Sequence, residues 1–469
     1  MVSTPAVVIA APSSGSGKTT VATGLIGALR RAGRLVAAFK AGPDFIDPGY
    51  HTLAAGRPGR NLDPVLVGEA LIGPLYRHGC RGADIAVVEG VMGLFDGRID
   101  VADSGAATGS TAHVAALLGA PVVLVVDARG QSHSVAALLH GFSTFPAAGK
   151  PTRIAGVVLN RVGSPRHEQV LRQACERAGT RVLGAIPRAD EMSLPSRHLG
   201  LVTAVEHGRR AQQAVEAMTA LVGRHVDVSA VAAAAASHVT DPPWQASAAG
   251  PVGDRVTVAM AAGKAFSFGY AEHTELLSAA GADVVRFDPL TDRLPDDTAA
   301  VVLPGGFPEQ FAAQLSANEV LRRQLRALAR AGGPVQAECA GLTYLVSELD
   351  GHPMCGVLAG SARFTERLTL RYHDAVAATD SPLYAAGERV VGHEFHRTAV
   401  TFAHSYPPAW AYRGRSSRSI RDSVCDVPTL RDGAVHRNVH ASYLHTHPAA
   451  APGAVTRFVA HAAGSRLAR

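Results

Sequence analysis

Lysine is nearly missing from this chain of 469 residues: only Lys18, Lys40, Lys150 and Lys264 appear among its 45 cationic side chains. Arginine serves wherever any cation will do, so a lysine here is informative. Cysteine is also sparse. Cys80, Cys175, Cys339, Cys355 and Cys425 are odd in number, scattered, and lack paired metal-ligand spacing, which fits a reducing compartment better than a disulfide scaffold. No apolar run reaches the roughly 18 to 20 residues needed to span a bilayer. The first residues show neither a charged leader nor a long hydrophobic segment, so a soluble cytoplasmic protein without a membrane partner is expected. Runs of like charge are absent too. The 45 basic and 39 acidic residues are interspersed and give a formal +6, which argues only weakly for nucleic acid, and no such partner is expected.

What is present is enough apolar material for at least two cores: 47% of the residues are hydrophobic, and single cores rarely grow beyond roughly 250 to 300 residues. The first half alternates short β-branched apolar runs at 6–10, 35–39, 85–88, 121–126 and 154–159 with helix-compatible stretches. Such runs suit strands buried on both faces, and their alternation with helices predicts a doubly wound parallel α/β sheet. An alanine run and Pro242-Pro243 break the pattern, and a linker is expected over 226–254. The alternation resumes at 256–260, 283–287 and 299–303. The expected organisation is therefore an N-terminal α/β domain over 1–225 and a C-terminal α/β domain over 255–469.

The run at 6–10 leads into Ala11-Pro12-Ser13-Ser14-Gly15-Ser16-Gly17-Lys18-Thr19-Thr20 and then a helical pattern. Strand, glycine loop and helix in that order form a phosphate cradle: backbone N–H groups and the helix N-terminus hold phosphate oxygens, a lysine neutralises them, and a hydroxyl binds Mg²⁺. Ser14, Gly15, Ser16, Gly17, Lys18, Thr19 and Thr20 are the expected ATP contacts. Pro12 stands where such loops usually begin with glycine. Two further segments end at the same predicted sheet edge, Lys40-Ala41-Gly42-Pro43-Asp44-Phe45-Ile46-Asp47 and Glu89-Gly90-Val91-Met92-Gly93-Leu94-Phe95-Asp96-Gly97. Lys40 is expected on the nucleotide. Asp44 and Glu89, with Thr19, are the expected Mg²⁺ ligands, since Mg²⁺ takes carboxylate and phosphate oxygens. Asp47 and Asp96 lie further along their loops and are expected to point outward to a substrate. Turn formation around Pro43 and Pro48 is the plainer reading of the aspartates.

At the other end, Val335-Gln336-Ala337-Glu338-Cys339-Ala340-Gly341 reads as a strand, a cysteine on a tight turn, and a helix. Such an elbow exposes a nucleophile. His445 in Tyr443-Leu444-His445 is its expected base, and Gly305-Gly306 in Leu303-Pro304-Gly305-Gly306-Phe307-Pro308-Glu309 supplies backbone N–H groups for an oxyanion hole. The other cysteines lack this setting and are read as structural. His393 and His396 in Gly392-His393-Glu394-Phe395-His396 do not complete a metal site, and local packing or substrate contact is expected.

Taken together, these motifs resemble the cobyrinate a,c-diamide synthase family, including its form acting on hydrogenobyrinate, over nearly the full chain. The segment Leu194-Pro195-Ser196-Arg197-His198-Leu199-Gly200-Leu201 is similar to that family as well. The N-terminal half resembles dethiobiotin synthetase, and the C-terminal half resembles class I glutamine amidotransferases. The resemblance implies a cytoplasmic ligase of cobalamin biosynthesis with corrinoid, ATP and glutamine as small-molecule partners and Mg²⁺ as cofactor. A homodimer is left open. It also implies a Cys339–His445 dyad, because class I enzymes carry a glutamate two residues after the histidine and His447 stands there. What orients the imidazole is left unassigned. Cobyric acid synthase, whose signature segments match less well, and nickel-sirohydrochlorin diamide synthase are alternative readings. A regulatory P-loop ATPase with an inactive amidotransferase-like module is a third.

Overall fold

Runs of valine, isoleucine and alanine become strands buried on both faces, because every second side chain points to each face and both faces are covered by helices. The computed structural model describes residues 3–99, 108–147, 150–188, 202–246, 250–414 and 429–467. The chain divides into two units, Met1–Trp244 and Gln245–Arg469.

The first unit holds β1 (Ala6–Ala10), α1 (Lys18–Arg31), β2 (Val36–Ala41), α2 (Asp47–Ala55), β3 (Arg60–Leu62), β4 (Ile85–Glu89), β5 (Val122–Asp127), β6 (Ile154–Val162) and β7 (Val182–Pro187). Its seven strands lie in the order β3-β2-β4-β1-β5-β6-β7, all parallel. The strand order reverses around β1, so the loops after β1, β2, β4 and β6 open at one edge, where open α/β sheets bind ligands. The five expected strands form within a residue or two at their starts. β3 and β7 were not expected, being short or interrupted by Gly184 and Pro187. The stretch 226–254, expected as a linker, contains α3 (Val228–Ala234). Its Ala236 forms a bridge to Ala6, and the Trp244 N–H donates to the Pro74 carbonyl, so much of this stretch packs on the first unit.

The second unit has a parallel run β9-β8-β10-β11-β15 built from β8 (Val256–Ala261), β9 (Ala282–Phe287), β10 (Thr298–Leu303), β11 (Val335–Glu338) and β15 (Val439–Ser442). Strand β14 (Ala434–His436) adds antiparallel to β15. Helix α4 (Ala340–Leu345) follows β11 directly. A second sheet is dominated by the long antiparallel pair β12 (Gly360–Ala377) and β13 (Arg389–Phe402), with β16 (His445–Thr446) added to β13. That hairpin was not anticipated: β12 carries Arg363, Glu366, Arg367, Arg371 and Asp374 and is mostly half-exposed, so it shows no apolar run. Among the described residues no helix is long and apolar enough to cross a membrane.

Candidate active site

The loop between β1 and α1 turns through Gly15 (φ 78°) and Gly17 (φ 97°), a left-handed backbone that glycine adopts without a steric penalty. Gly17 has a second constraint. A Cβ there would run into the Asn160 side-chain amide, which donates to the Ser16 carbonyl at 2.9 Å. Arg161 braces the same loop, donating to the Gly15 carbonyl at 2.9 Å and to Asp127 at 2.5 Å. Both residues come from the end of β6 and were missed in the sequence, where they follow an apolar run with no motif of their own. A cleft of about 540 Å³ lies beside the loop, lined in part by Ser13, Ser16, Asp127, Arg129 and Gln131.

Lys18 opens α1 and bends back to the Ser13 carbonyl (3.2 Å) and the Met92 carbonyl (2.5 Å). Burial, helped by the nearby Lys40 cation, brings its ammonium down to about 8. Thr19 donates to Glu89 at 2.6 Å and lies 3.5 Å from Asp47. Lys40 is the centre of the cluster, 2.6 Å from Asp47, 2.9 Å from Glu89 and 3.1 Å from the Gly90 carbonyl. Glu89 also meets His51 at 2.7 Å. Burial would neutralise Lys40, but Asp47 and Glu89 outweigh it and raise the ammonium above its ordinary value. For Glu89 burial again opposes ionisation, yet Lys40 and His51 hold the carboxylate well below its usual range. A buried charge survives only when paired in this way.

The aspartates do not divide as expected. Asp47, expected to point outward, is buried on Lys40, because α2 starts at that residue and folds it back under the loop. Asp44, expected on the metal, accepts from the Ile46 and Asp47 N–H groups at 2.7 and 3.0 Å, an Asx turn leading into α2. Asp96 likewise accepts from the Gly93 N–H at 2.8 Å and closes its own turn. Among the described residues no group of three or more His, Cys, Asp or Glu is arranged to hold a metal by itself. Thr19 and Glu89 nevertheless offer adjoining hard oxygens, and Mg²⁺ usually takes one or two carboxylates and completes its shell with phosphates and water.

In the second unit Cys339 occupies the elbow between β11 and α4 at φ 52°, ψ −98°, a sparsely populated region costing about 1–3 kcal/mol. Bonds on either side hold it: the Cys339 N–H donates to the Ser442 carbonyl at 2.8 Å, and its carbonyl accepts from the Thr343 N–H at 3.1 Å. The thiol lies 3.7 Å from the Phe395 carbonyl of β13. His445 begins β16, pairs in register with His393, and is buried. Burial alone would lower the imidazole, but the neighbouring Cys339 and Glu338 raise it to about 10. Gly305 lies close to this ring, and a Cβ there would strike His445. A Cβ on Gly306 would strike the Ala265 carbonyl. Gly305 is thus brought to His445, with Gly306 beside it.

His447 does not serve His445. Its Nδ1 accepts from the Ala449 N–H at 3.3 Å, and its ring packs on Tyr270 at 4.2 Å. His396 Nδ1 contacts the Thr398 carbonyl at 2.8 Å and its ring stacks on Tyr443 at 3.8 Å. Burial brings His393 down to about 3. Cys80, Cys175 and Cys355 are buried free thiols, pushed by burial to about 12, 11 and 12. Cys425 and the segment 194–201 lie outside the described residues.

Residues 7–202 match the CobQ/CobB/MinD/ParA nucleotide binding domain, and residues 257–452 match the CobB/CobQ-like glutamine amidotransferase domain. Over the whole length the chain is 72% identical to a hydrogenobyrinate a,c-diamide synthase of Mycobacterium tuberculosis, covering 98% of each chain. It is 52% identical to one from Streptomyces coelicolor, covering 97% of each. A cobyrinate a,c-diamide synthase from Gloeobacter violaceus is 40% identical, with 97% of this chain and 96% of that one covered.

Proposed function

The chain belongs to the hydrogenobyrinate and cobyrinate a,c-diamide synthase family, and from that premise we infer an ATP-dependent amide ligase of cobalamin biosynthesis that draws its nitrogen from glutamine. Its substrates are the a and c acetate carboxylates of the corrinoid. Hydrogenobyrinate is the assigned form, because the relatives at 72% and 52% identity carry that name and the one at 40% is named for cobyrinate.

The chemistry follows from what a carboxylate lacks, a leaving group. Ser14, Gly15, Ser16, Gly17, Thr20 and Lys18 hold the triphosphate, with Lys40 charged beneath it. A peripheral acetate attacks the γ-phosphorus, the bond to ADP breaks, and an acyl phosphate forms. Thr19, Glu89 and Asp47 would hold Mg²⁺, which supplies charge neutralisation on the phosphates when bound. Asp44 and Asp96 shape the loops that receive the acetate. In the second unit the Cys339 sulfur attacks the glutamine carboxamide carbon. The N–H groups of Gly305 and Gly306 stabilise the oxyanion. His445 gives the departing amine its proton, and water then releases glutamate from the thioester. Ammonia displaces phosphate from the acyl phosphate, and a second cycle gives the diamide.

The observation that carries this reading is 72% identity over 98% of the chain, together with the two clusters, Thr19 with Lys40 and Glu89, and Cys339 with His445. Incubation with ATP, Mg²⁺, glutamine and hydrogenobyrinate, followed by mass analysis, tests it. Two successive amidations with matching glutamate release are expected. Glutamine and ATP consumption with an unchanged corrinoid would refute it.

A further inference from the structure

Catalytic histidines depend on a third group that fixes which ring nitrogen faces the nucleophile. The position two residues after the histidine, where class I enzymes carry a glutamate, holds His447, which contacts the Ala449 N–H and Tyr270. The carboxylate that does meet the ring comes from the residue before the nucleophile: Glu338 Oε2 lies 3.6 Å from His445 Nδ1. It is held there from two sides. Gln336 Nε2 and Thr446 Oγ1 both donate to Glu338 Oε1, at 3.1 and 3.3 Å, which leaves Oε2 facing the imidazole. Thr446 is in turn 3.4 Å from the Tyr384 hydroxyl. One strand end therefore carries two functions, with Glu338 closing β11 and Cys339 starting the elbow.

Resting on the assignment of Cys339 and His445 as nucleophile and base, we propose that Glu338 is the positioning residue of the glutaminase site, orienting His445 through Nδ1 and supporting its imidazolium form so that Nε2 serves the thiol. The neighbouring histidines and Tyr384 do not supply this, and the Glu394 carboxylate is taken by Arg371 and His373. His273 of the helix Ala271–Ala279, His393 and His396 of β13, and His440 of β15 are all lowered by burial, so they stay neutral. Tyr384 is pushed upward by burial and also stays neutral. Burial opposes ionisation of Glu338 as well, yet the contact with His445 outweighs it and holds the carboxylate below its ordinary value. An ionised carboxylate and a raised imidazole are the two sides of one contact.

The test compares Glu338→Gln, Glu338→Asp and Cys339→Ala in glutamine hydrolysis across pH, with thermal unfolding as the check on folding. Glu338→Gln keeps the shape and removes the charge. The expected result is a fall in kcat of about 10- to 10³-fold at nearly constant KM. The limb of the pH profile set by His445 should move down by about one unit or more, because an opposite charge no longer supports the cation. Glu338→Asp should recover part of both. A wild-type rate and profile in Glu338→Gln, while Cys339→Ala is inactive, would overturn the proposal and leave the nucleophile standing. Glutamine hydrolysis by Cys339→Ala would instead overturn the underlying assignment. Should Glu338→Gln fail to fold, Thr446→Val decides: loosening the clamp should lower kcat several-fold with the same direction of pH shift, and an unchanged profile would refute the role of Glu338.

Discussion

Both units place their chemistry beyond the C-terminal ends of parallel strands, yet what they bury there differs in kind. The nucleotide-binding unit buries an ion pair, Lys40 with Glu89: Lys40 sits between Glu89 and Asp47, whose own carboxyl burial pushes upward, and Glu89 is shared with His51 and Thr19. The amidotransferase unit buries imidazoles that burial keeps neutral, His393 at about 3 and His440 at about 4, around one histidine raised to about 10. The tasks explain the contrast. A triphosphate and its metal are fixed charges that need fixed counter-charges at all times. A carboxamide is neutral, and its hydrolysis needs one proton to move between sulfur and ring while nothing nearby competes for it. Fixed ions must be paired with counter-charges to survive burial, whereas a neutral imidazole has a smaller desolvation cost that hydrogen bonds can offset.

The strongest break between the two units is Lys18→Ala. Activation of the carboxylate precedes amination, so product should fall by at least about 10²- to 10³-fold with glutamine and with free ammonia alike. Product at a near-normal rate from either donor would remove Lys18 from the phosphate site.

Glu89→Gln sharpens the contrast on the ionic side. It leaves Lys40 and His51 short of a buried partner, which costs about 3–5 kcal/mol by urea unfolding, and it should raise the Mg²⁺ requirement of both amidations. Asp47→Asn should raise the Mg²⁺ requirement in the same way, since Asp47 shares Lys40, while Asp96→Asn should not. Equal Mg²⁺ dependence for Asp96→Asn would erase the distinction.

Acid separates the units more gently. His393 and His440 titrate in the folded chain at about 3 and about 4, below the ordinary value near 6.5. As pH falls through 6.5 the unfolded state therefore takes up protons first. Each imidazole withdraws about 1.4 kcal/mol per pH unit down to its own folded value. Asp432, pushed by burial to about 7, works in the opposite sense and offsets one of them. Glu89 is depressed, so its contribution is complete above pH ~4.5 and is lost only below that. Hydrogen exchange resolved by unit between pH 6.5 and 4.5 should show the C-terminal unit loosening first. Earlier loosening of the N-terminal unit would contradict the assignment of buried charge states.

How far the sequence reached depended on whether a residue's neighbours in space are its neighbours in the chain. The parallel strands at 6–10, 85–88 and 256–260 were legible because burial on both faces leaves an apolar run. The P-loop and the cysteine elbow were legible for a similar reason, each being a contiguous strand–turn–helix. The hairpin of β12 and β13 was not, since its half-exposed strands mix Arg371 and Glu394 with apolar residues and pair them only across the sheet. Asp47 folds back onto Lys40 and Asp44 closes a turn because a three-residue offset at the start of a helix reverses direction in a way that spacing along an extended loop does not show. Glu338 sits within the elbow motif yet shows no role in the sequence, because its partner His445 lies more than a hundred positions away.

The most direct measurement of the central claim, that one unit activates the carboxylate and the other only supplies ammonia, is product formation by Cys339→Ala with each nitrogen donor. The account predicts that amidation from glutamine disappears while amidation from high free ammonia continues near the wild-type rate. Loss of both activities, or retention of glutamine use, would contradict it.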